Sequence, residues 1–213
     1  MNWIVGHLQS ALVTIQEGGV MMYPILLCSV VALAVALERF YHLRRSRIMP
    51  ESLLKEVRAC KGEDCVDHLY HLCSHYAQVP IARILKVAIE TRFSDRAKME
   101  QAIENAGRQE AALMASKLRV LGVIANLAPM MGLLGTVLGM IHAFTTIAQV
   151  GTGQPSLVAR GISEALITTA AGLIVAIPCL ALYHYLKAKV ERYAVEMEEV
   201  VDAFLNRVLE EAR

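Results

Sequence analysis

The stretch GLLGTVLG, from Gly132 to Gly139, lies in the middle of a long apolar run. It contains three glycines, although each glycine weakens a helix by about 1 kcal/mol relative to alanine. One hydroxyl, that of Thr136, lies among them. Lipid gives two helices no hydrophobic reason to associate, so small residues that permit close packing supply one. The stretch therefore predicts a membrane-spanning helix that packs closely on a second helix through its glycines.

The run around this stretch is one of three that are long enough to cross a membrane. We predict spans over 20–37, 120–144 and 162–186, and Glu164 is the only Asp, Glu, Lys or Arg in the last two. A helix of 25 residues extends about 37 Å, enough to cross a hydrocarbon core of about 30 Å. The chain is 55% hydrophobic and 19% charged, which is typical of spans joined to a water-exposed part. The alternative is a soluble protein with buried helices, but such helices seldom run this long without a charge.

The positions of Lys and Arg predict the orientation, because cations are retained in the cytoplasm. Residues 1–19 contain no Lys or Arg and 145–161 contain one, whereas cations follow the first span, precede the second and follow the third. We therefore place 1–19 and the 145–161 loop outside, and 38–119 and 187–213 in the cytoplasm. The expected fold is all-α and polytopic, and the second and third spans extend into a cytoplasmic helical bundle.

The cytoplasmic segment 38–119 is expected to be helical throughout. Pro50 opens a helix at PESLLKEVRAC that Gly62 closes, EDCVDHLYHLCSHYA forms the next, and Pro80 opens PIARILKVAIETRF. Ser94 is predicted to cap a long helix that runs straight into the second span. The tail after the third span has a heptad-like seam, which predicts packing on a neighbouring helix; its members are Val190, Ala194, Met197, Val201, Phe204 and Val208.

A segment rich in cysteine and histidine, CKGEDCVDHLYHLCSH, runs from Cys60 to His75. On a helix, Cys65 and Cys73 share a stripe with leucines, while the histidines share another. A solvated histidine face is therefore the main interpretation, and a metal or pH-responsive site is the alternative. Because Cys60, Cys65 and Cys73 are placed in the reducing cytoplasm and the other two cysteines in spans, we expect no structural disulfide.

Composition and motifs restrict the function. The net charge is +1, so no global field favours nucleic acid. The sequence lacks GxGxxG, GxxxxGK[ST], HExxH and GxSxG, and we predict neither an enzyme nor a bound cofactor or metal.

The second and third spans each present a stripe of small residues with a hydroxyl near its middle, Thr136 in one and Thr169 in the other. One interpretation is tight helix packing in which each threonine bonds back to a main-chain carbonyl. The other is that the paired hydroxyls line a narrow passage for an ion or a partner helix. The residues predicted to pack the helices are Pro129, Gly132, Gly135, Gly139, Ala165, Gly172 and Ala176.

Two linked motifs carry a family resemblance. PMMGLLGTVLGMIHAF (129–144) is followed about twenty residues later by GISEALITTAAGLIVAIP (161–178). Together they resemble the paired signature of the MotA/TolQ/ExbB family of proton-channel proteins, and the order of spans is similar too. The short chain and the exit ERFYHLRRSRI (38–48) are more similar to the TolQ/ExbB branch than to flagellar MotA.

The resemblance implies a ring of five subunits in the bacterial inner membrane, around a dimer of an ExbD- or TolR-like partner with one span. In the family, an aspartate of the partner carries the proton, and a TonB-like transducer can receive the work. The family's pore threonines correspond to Thr136 and Thr169, and its membrane glutamate to Glu164. Thr168 adds a second hydroxyl that could face the passage.

Two ionisable residues near the outer boundary have alternatives of their own. Glu164 is a functional candidate because a carboxylate in a span is costly, and its alternative is an interfacial ion pair with Arg160 at i−4. His142 is interpreted as interfacial rather than as a proton relay. The sequence thus predicts a proton-driven motor subunit; the alternatives are a non-conducting membrane scaffold, a flagellar or gliding stator of the same family, and a metal or redox protein.

Overall fold

A computed structural model describes residues 18–60, 63–150 and 155–211. Every regular element in these ranges is an α-helix, as the sequence predicts. Gly62, most of the N-terminal segment 1–19 and residues 151–154 of the predicted outer loop lie outside the described residues. The helices are α1 (Met22–His42), α2 (Arg45–Ile48), α3 (Glu51–Ala59), α4 (Glu63–His75), α5 (Pro80–Thr91), α6 (Arg96–Ser116), α7 (Arg119–Val150) and α8 (Pro155–Glu211).

The chain divides into two compact units. One, which we call the membrane unit, comprises Met1–Leu37 and Arg119–Tyr183, and the other, the hydrophilic unit, comprises Glu38–Leu118 and His184–Arg213. Three helices, α1, α7 and α8, are long and apolar enough to cross a membrane. The three predicted spans are thus present as helices.

The membrane unit exposes many of its large apolar side chains, although a few such as Leu121 are buried. Leu33 is 62% exposed, Ile174 is 71% exposed and Ile177 is 65% exposed. Small residues are buried instead, such as Ala128 and Ala165. This distribution is the one expected in lipid, where apolar side chains gain little by turning inwards and close packing depends on small residues.

Helices α7 and α8 extend beyond the apolar runs that predict them. Residues 145–150 and 155–161, which were assigned to the outer loop, are helical. The hydroxyls of Thr145 and Thr146 donate to the carbonyls of Ile141 and His142, at 2.8 and 2.9 Å. Each hydroxyl thus has its acceptor within its own helix, and the helix continues after the apolar run has ended.

The hydrophilic unit has a conventional core. Helix α4 packs on α3 and α5, and α5 packs on α6. The apolar face of α5 is completely buried, with Ile81, Ile84 and Leu85 at 0% exposure. The predicted seam of the tail is confirmed, because Val190, Met197, Val201 and Phe204 are all buried.

One buried ion pair crosses the core of this unit. The guanidinium of Arg83 donates to both carboxylate oxygens of Glu110, whose side chain is only 7% exposed. The hydrogen bond with Glu110 is the main reason why the pKa of the Arg83 guanidinium is raised above its ordinary value. Both carboxylate oxygens of Glu110 thus accept a hydrogen bond in the bidentate geometry that makes such pairs strong.

The prediction that one helix runs from Ser94 into the second span is wrong in two respects. Asp95, not Ser94, precedes the first turn of α6, and α6 ends at Ser116. Lys117 and Leu118 form a turn in which the amide of Leu118 donates to the carbonyl of Ala115 at 2.9 Å. The hydroxyl of Ser116 competes for a main-chain carbonyl, that of Leu113, which favours a helix end without any glycine or proline.

The prediction that no structural disulfide forms is also wrong. Cys60 and Cys65 are joined, with their Cα atoms 5.4 Å apart. The two cysteines lie on either side of the boundary between α3, which ends at Ala59, and α4, which begins at Glu63, and their Cα separation is within the range of a disulfide. The prediction considered only the compartment and not this local geometry.

The two faces predicted for α4 are confirmed. Leu69 and Cys73 are buried, whereas His68 and His71 are exposed. In the part of the chain that the structure describes, no three His, Cys, Asp or Glu side chains come together as a metal site. The disulfide also removes two cysteine thiolates from the ligands that the metal alternative requires.

Candidate functional site

The glycines of the opening stretch lie at the contact between α7 and α8. A Cβ atom added to Gly132 would lie 3.0 Å from Cα of Thr169, and one added to Gly172 would lie 2.5 Å from the carbonyl oxygen of Ala128. A Cβ atom on Gly135 would overlap the side chain of Thr168. Real Cβ atoms essentially never lie closer than 3.0 Å to such atoms, so the main chains approach as closely as they do only because these positions lack side chains.

The contact continues to the end of the predicted spans. A Cβ atom on Gly139 would lie 2.9 Å from the carbonyl oxygen of Gly161, and one on Gly161 would lie 2.9 Å from Cβ of Ala143. Gly161 was not among the predicted packing residues, although its position four residues before Ala165 extends the same small-residue stripe. We call the contact between α7 and α8 the glycine seam; it comprises Ala128, Gly132, Gly135, Gly139, Ala143, Gly161, Ala165, Thr168, Thr169 and Gly172.

The hydroxyl of Thr169 bonds across to α7, whereas that of Thr136 bonds within α7. Thr169 donates to the carbonyl oxygen of Gly132 at 3.1 Å. In an α-helix the carbonyl of Gly132 also accepts the amide of Thr136. The hydroxyl of Thr136 donates to the carbonyl of Leu133 at 2.6 Å. Both threonines keep part of their surface exposed.

Thr168 has a different environment. It is 0% exposed, and its hydroxyl lies 2.8 Å from the carbonyl oxygen of Gly18 and 2.7 Å from that of Glu164. The side chain thus ties the turn before α1 to α8. Of the two neighbouring hydroxyls, only that of Thr169 is partly open to the surface of the subunit.

Glu164 lies against the same turn. Gly19 has a φ of +66°, and any Cβ atom there would overlap the carboxylate of Glu164. No ion pair with Arg160 is present among the described residues, so the interfacial pair considered above is absent. The neighbourhood of Glu164 is formed instead by Gly19, to which no sequence motif pointed.

The remaining predicted residues are divided between interior and surface. Ala176 is buried and Pro129 is partly buried, while His142 is exposed. Glu164 is the only Asp or Glu between residues 119 and 186. A proton crossing the middle of these helices therefore finds hydroxyls and carbonyls on this chain but no carboxylate.

Comparison with known proteins decides the family. The model of the MotA/TolQ/ExbB proton channel family matches residues 76–199. The chain belongs to this family. The match includes the whole glycine seam, and the MotA/TolQ/ExbB signature predicted from the two motifs is thereby confirmed.

Relatives place the chain in the ExbB/TolQ branch of the MotA/TolQ/ExbB family. It is 36% identical to the putative biopolymer transport protein ExbB-like 1 of Synechocystis, over 80% of this chain and 68% of the relative. It is 27% identical to the biopolymer transport protein exbB1 of Vibrio cholerae, over 92% and 86%. The Tol-Pal system protein TolQ of Haemophilus influenzae is 34% identical over 49% of this chain and 46% of its own length. Together with the three apolar helices, the family makes this an energy-transducing protein of the inner membrane with several spans.

Proposed function

We propose that this chain is the ring subunit of a motor driven by the proton-motive force. Several copies, five by the family resemblance, surround a dimer of an ExbD- or TolR-like partner that has one span. Protons pass along the surface between ring and partner, and the partner delivers the resulting work to components of the envelope, for example through a TonB-like transducer. The N-terminus lies outside and the C-terminus in the cytoplasm.

The observation that carries the proposal is the pair of partly exposed hydroxyls of Thr136 and Thr169. The hydroxyl of Thr169 bonds to the carbonyl of Gly132, which lies one helical turn before Thr136 on α7, so both threonines belong to the region where α7 and α8 meet. Hydroxyls and carbonyls can hold water or a polar partner group in a span, where an apolar surface cannot.

The proton carrier must come from the partner, because α7 and the apolar part of α8 contain no carboxylate except Glu164. One charge that crosses the membrane releases about 2.3 kcal/mol per 100 mV. A step of this size can alter the fit of a partner helix against the two threonines. Rotation of the partner within the ring is the motion that such steps drive.

Valine substitutions test the proposal. Valine has nearly the shape of threonine but cannot form hydrogen bonds, so Thr136→Val and Thr169→Val should abolish proton flux by the complex in vesicles while leaving assembly intact. Thr145→Val is a matched control, because its hydroxyl is exposed and bonded to a carbonyl within its own helix in the same manner. Unchanged flux in Thr136→Val and Thr169→Val would rule out the proton pathway.

A non-conducting scaffold is the second candidate, and the close packing of the glycine seam within one subunit favours it. A scaffold retains its activity in the cell when Thr136 becomes valine, whereas the motor loses it. Native mass measurement of the intact complex, with and without the partner, counts the subunits and tests the value of five.

A further inference from the structure

The hydrophilic unit contains a cavity of about 770 Å³ that the proposed motor does not use. Residues from α1, α2, α5 and α6 and from the connections between helices form its wall. The charged residues among them are Arg39, Arg47, Arg83, Glu110 and Lys117. Four cations thus face one carboxylate, and the ring of His42 also lines the cavity.

Arg39 is a buried cation whose hydrogen bonds are incomplete. Its side chain is 5% exposed and pairs with Glu38 through one terminal nitrogen. Its Nε–H is buried and has no acceptor among the described residues. An unsatisfied donor on a buried charged group is costly, so an acceptor that enters the cavity removes a penalty as well as making a new bond.

The remaining charged residues of the cavity wall give it a net positive charge. Glu110 is already bonded on both oxygens by Arg83. Among the described residues, Lys117 and Arg47 take part in no ion pair, and Arg47 lies over the ring of Tyr41 at 4.1 Å. The cavity therefore attracts an anion with several oxygens.

The sequence places this cavity beside the membrane boundary. Arg39 follows the end of the predicted first span by two residues, and Lys117 precedes the second by three. The cavity wall also includes apolar side chains such as Leu43 and Met114. Basic pockets at such a boundary are suited to lipid phosphates, whose glycerol and upper acyl carbons meet the apolar wall.

We propose that this cavity binds a phosphate group, carried by an anionic phospholipid or by a soluble phosphate compound. Arg39 lies at its inner end as the buried anchor, and Arg47 and Lys117 hold the phosphate from the rim. The site is distinct from the glycine seam, and the proposal does not depend on the motor function.

Calorimetric titration of the full chain in an uncharged detergent tests the proposal with three probes. These are dihexanoyl phosphatidylglycerol, inorganic phosphate, and dihexanoylglycerol, which has the same acyl chains without phosphate. We expect saturable binding of a phosphate probe and none of dihexanoylglycerol. Arg47→Gln and Lys117→Gln should each weaken it about fivefold, the usual effect of one cation near a lipid surface.

Arg44→Gln is the matched control, because Arg44 is exposed in the same segment but does not line the cavity. It should change the affinity less than twofold. Binding of phosphatidylglycerol alone identifies a lipid headgroup as the source, and binding of inorganic phosphate identifies a soluble one; both support the site. The proposal is overturned if neither phosphate probe binds, or if Arg44→Gln weakens binding as much as Lys117→Gln does. Arg39→Gln is a further variant, and if it does not fold, Arg47→Gln and Lys117→Gln still decide the outcome.

Discussion

The hydroxyl of Thr169 donates a hydrogen bond to the main-chain carbonyl of Gly132, across the contact between α8 and α7. The bond forms because Gly132 has no side chain, so the main chains of the two helices approach within the reach of a threonine hydroxyl. A residue proposed to face the proton path is thus also part of the packing of the subunit. Variants that enlarge a glycine of the seam should therefore lower the stability of the subunit, whereas the nearly isosteric Thr169→Val should not.

Gly172→Ala should destabilise the membrane unit. The new methyl group would lie 2.5 Å from the carbonyl oxygen of Ala128, which belongs to the backbone of a helix and cannot turn aside. Overpacking of this kind costs about 1–3 kcal/mol, which exceeds the gain of about 1 kcal/mol from replacing glycine in a helix. Unfolding in mixed micelles measures the difference in free energy.

Gly122→Ala is the matched control for this prediction. Its methyl group would lie 3.3 Å from the ring of Tyr183, which is a side chain and can shift. We expect it to be neutral or slightly stabilising. Equal effects of the two alanine variants would contradict the account of the seam.

Gly19→Ala should destabilise the protein for two reasons, namely its backbone conformation and its contact with Glu164. The φ of +66° disfavours a side chain by about 1–2 kcal/mol, and a methyl group overlaps the carboxylate of Glu164. Adding Glu164→Ala to the Gly19→Ala variant should restore only that part of the lost stability that is due to the overlap with the carboxylate. A double-mutant cycle on the free energy of unfolding separates the two parts. A coupling energy of zero would show that the carboxylate does not lie against this turn.

Arg83→Met should destabilise the hydrophilic unit by about 2 kcal/mol, because it leaves the buried carboxylate of Glu110 without its partner. The value lies below the full cost for a buried pair, since the side chain of Arg83 is itself 40% exposed. The exposed pair of Glu104 and Arg108 provides the control. Arg108→Met should cost no more than about 0.5 kcal/mol in the same urea titration. The account fails if the two methionine variants are equally stable.

Cys73 should resist alkylation in the native protein. Burial raises the pKa of its thiol to about 11. At pH 8 about one thiol in a thousand is then ionised, and the thiolate is the reactive form. Peptide mapping after iodoacetamide treatment should show Cys73 modified at least about 100-fold faster in urea than in the native state.

The raised pKa of Cys73 also predicts in which direction the stability of the protein changes with pH. The pKa of Cys73 is higher in the folded than in the unfolded chain, so its contribution is complete below the ordinary thiol pKa of about 8.5 and is lost as the pH rises towards 11. Cys73→Ala should remove this part of the decline. A decline of the same size in the alanine variant would assign it to other groups.

The sequence was most informative where one physical requirement dominated. The spans followed from the lengths of apolar runs, and the close contact of α7 and α8 followed from small residues such as Gly132 and Gly172. The faces of α4 followed from helical periodicity, which separates Cys73 from His71 regardless of the rest of the fold.

Other features depended on contacts between distant parts of the chain. Thr168 and Thr169 are adjacent and chemically identical, and contacts of Thr168 with Gly18 and Gly135, both distant in sequence, bury it. The break at Lys117 has no glycine or proline to announce it. The bond between Cys60 and Cys65 depends on the distance between the two residues, which neither composition nor the assumed compartment specifies.

The glycine seam has a consequence for motion. The backbones of α7 and α8 are in contact at Gly132 and Gly172. One helix therefore cannot slide or tilt against the other without a collision of main-chain atoms. Helices α7 and α8 should consequently move together as one rigid body. In any working cycle, relative motion must then occur between the helix pairs of neighbouring subunits, or between these pairs and the polypeptide that they enclose.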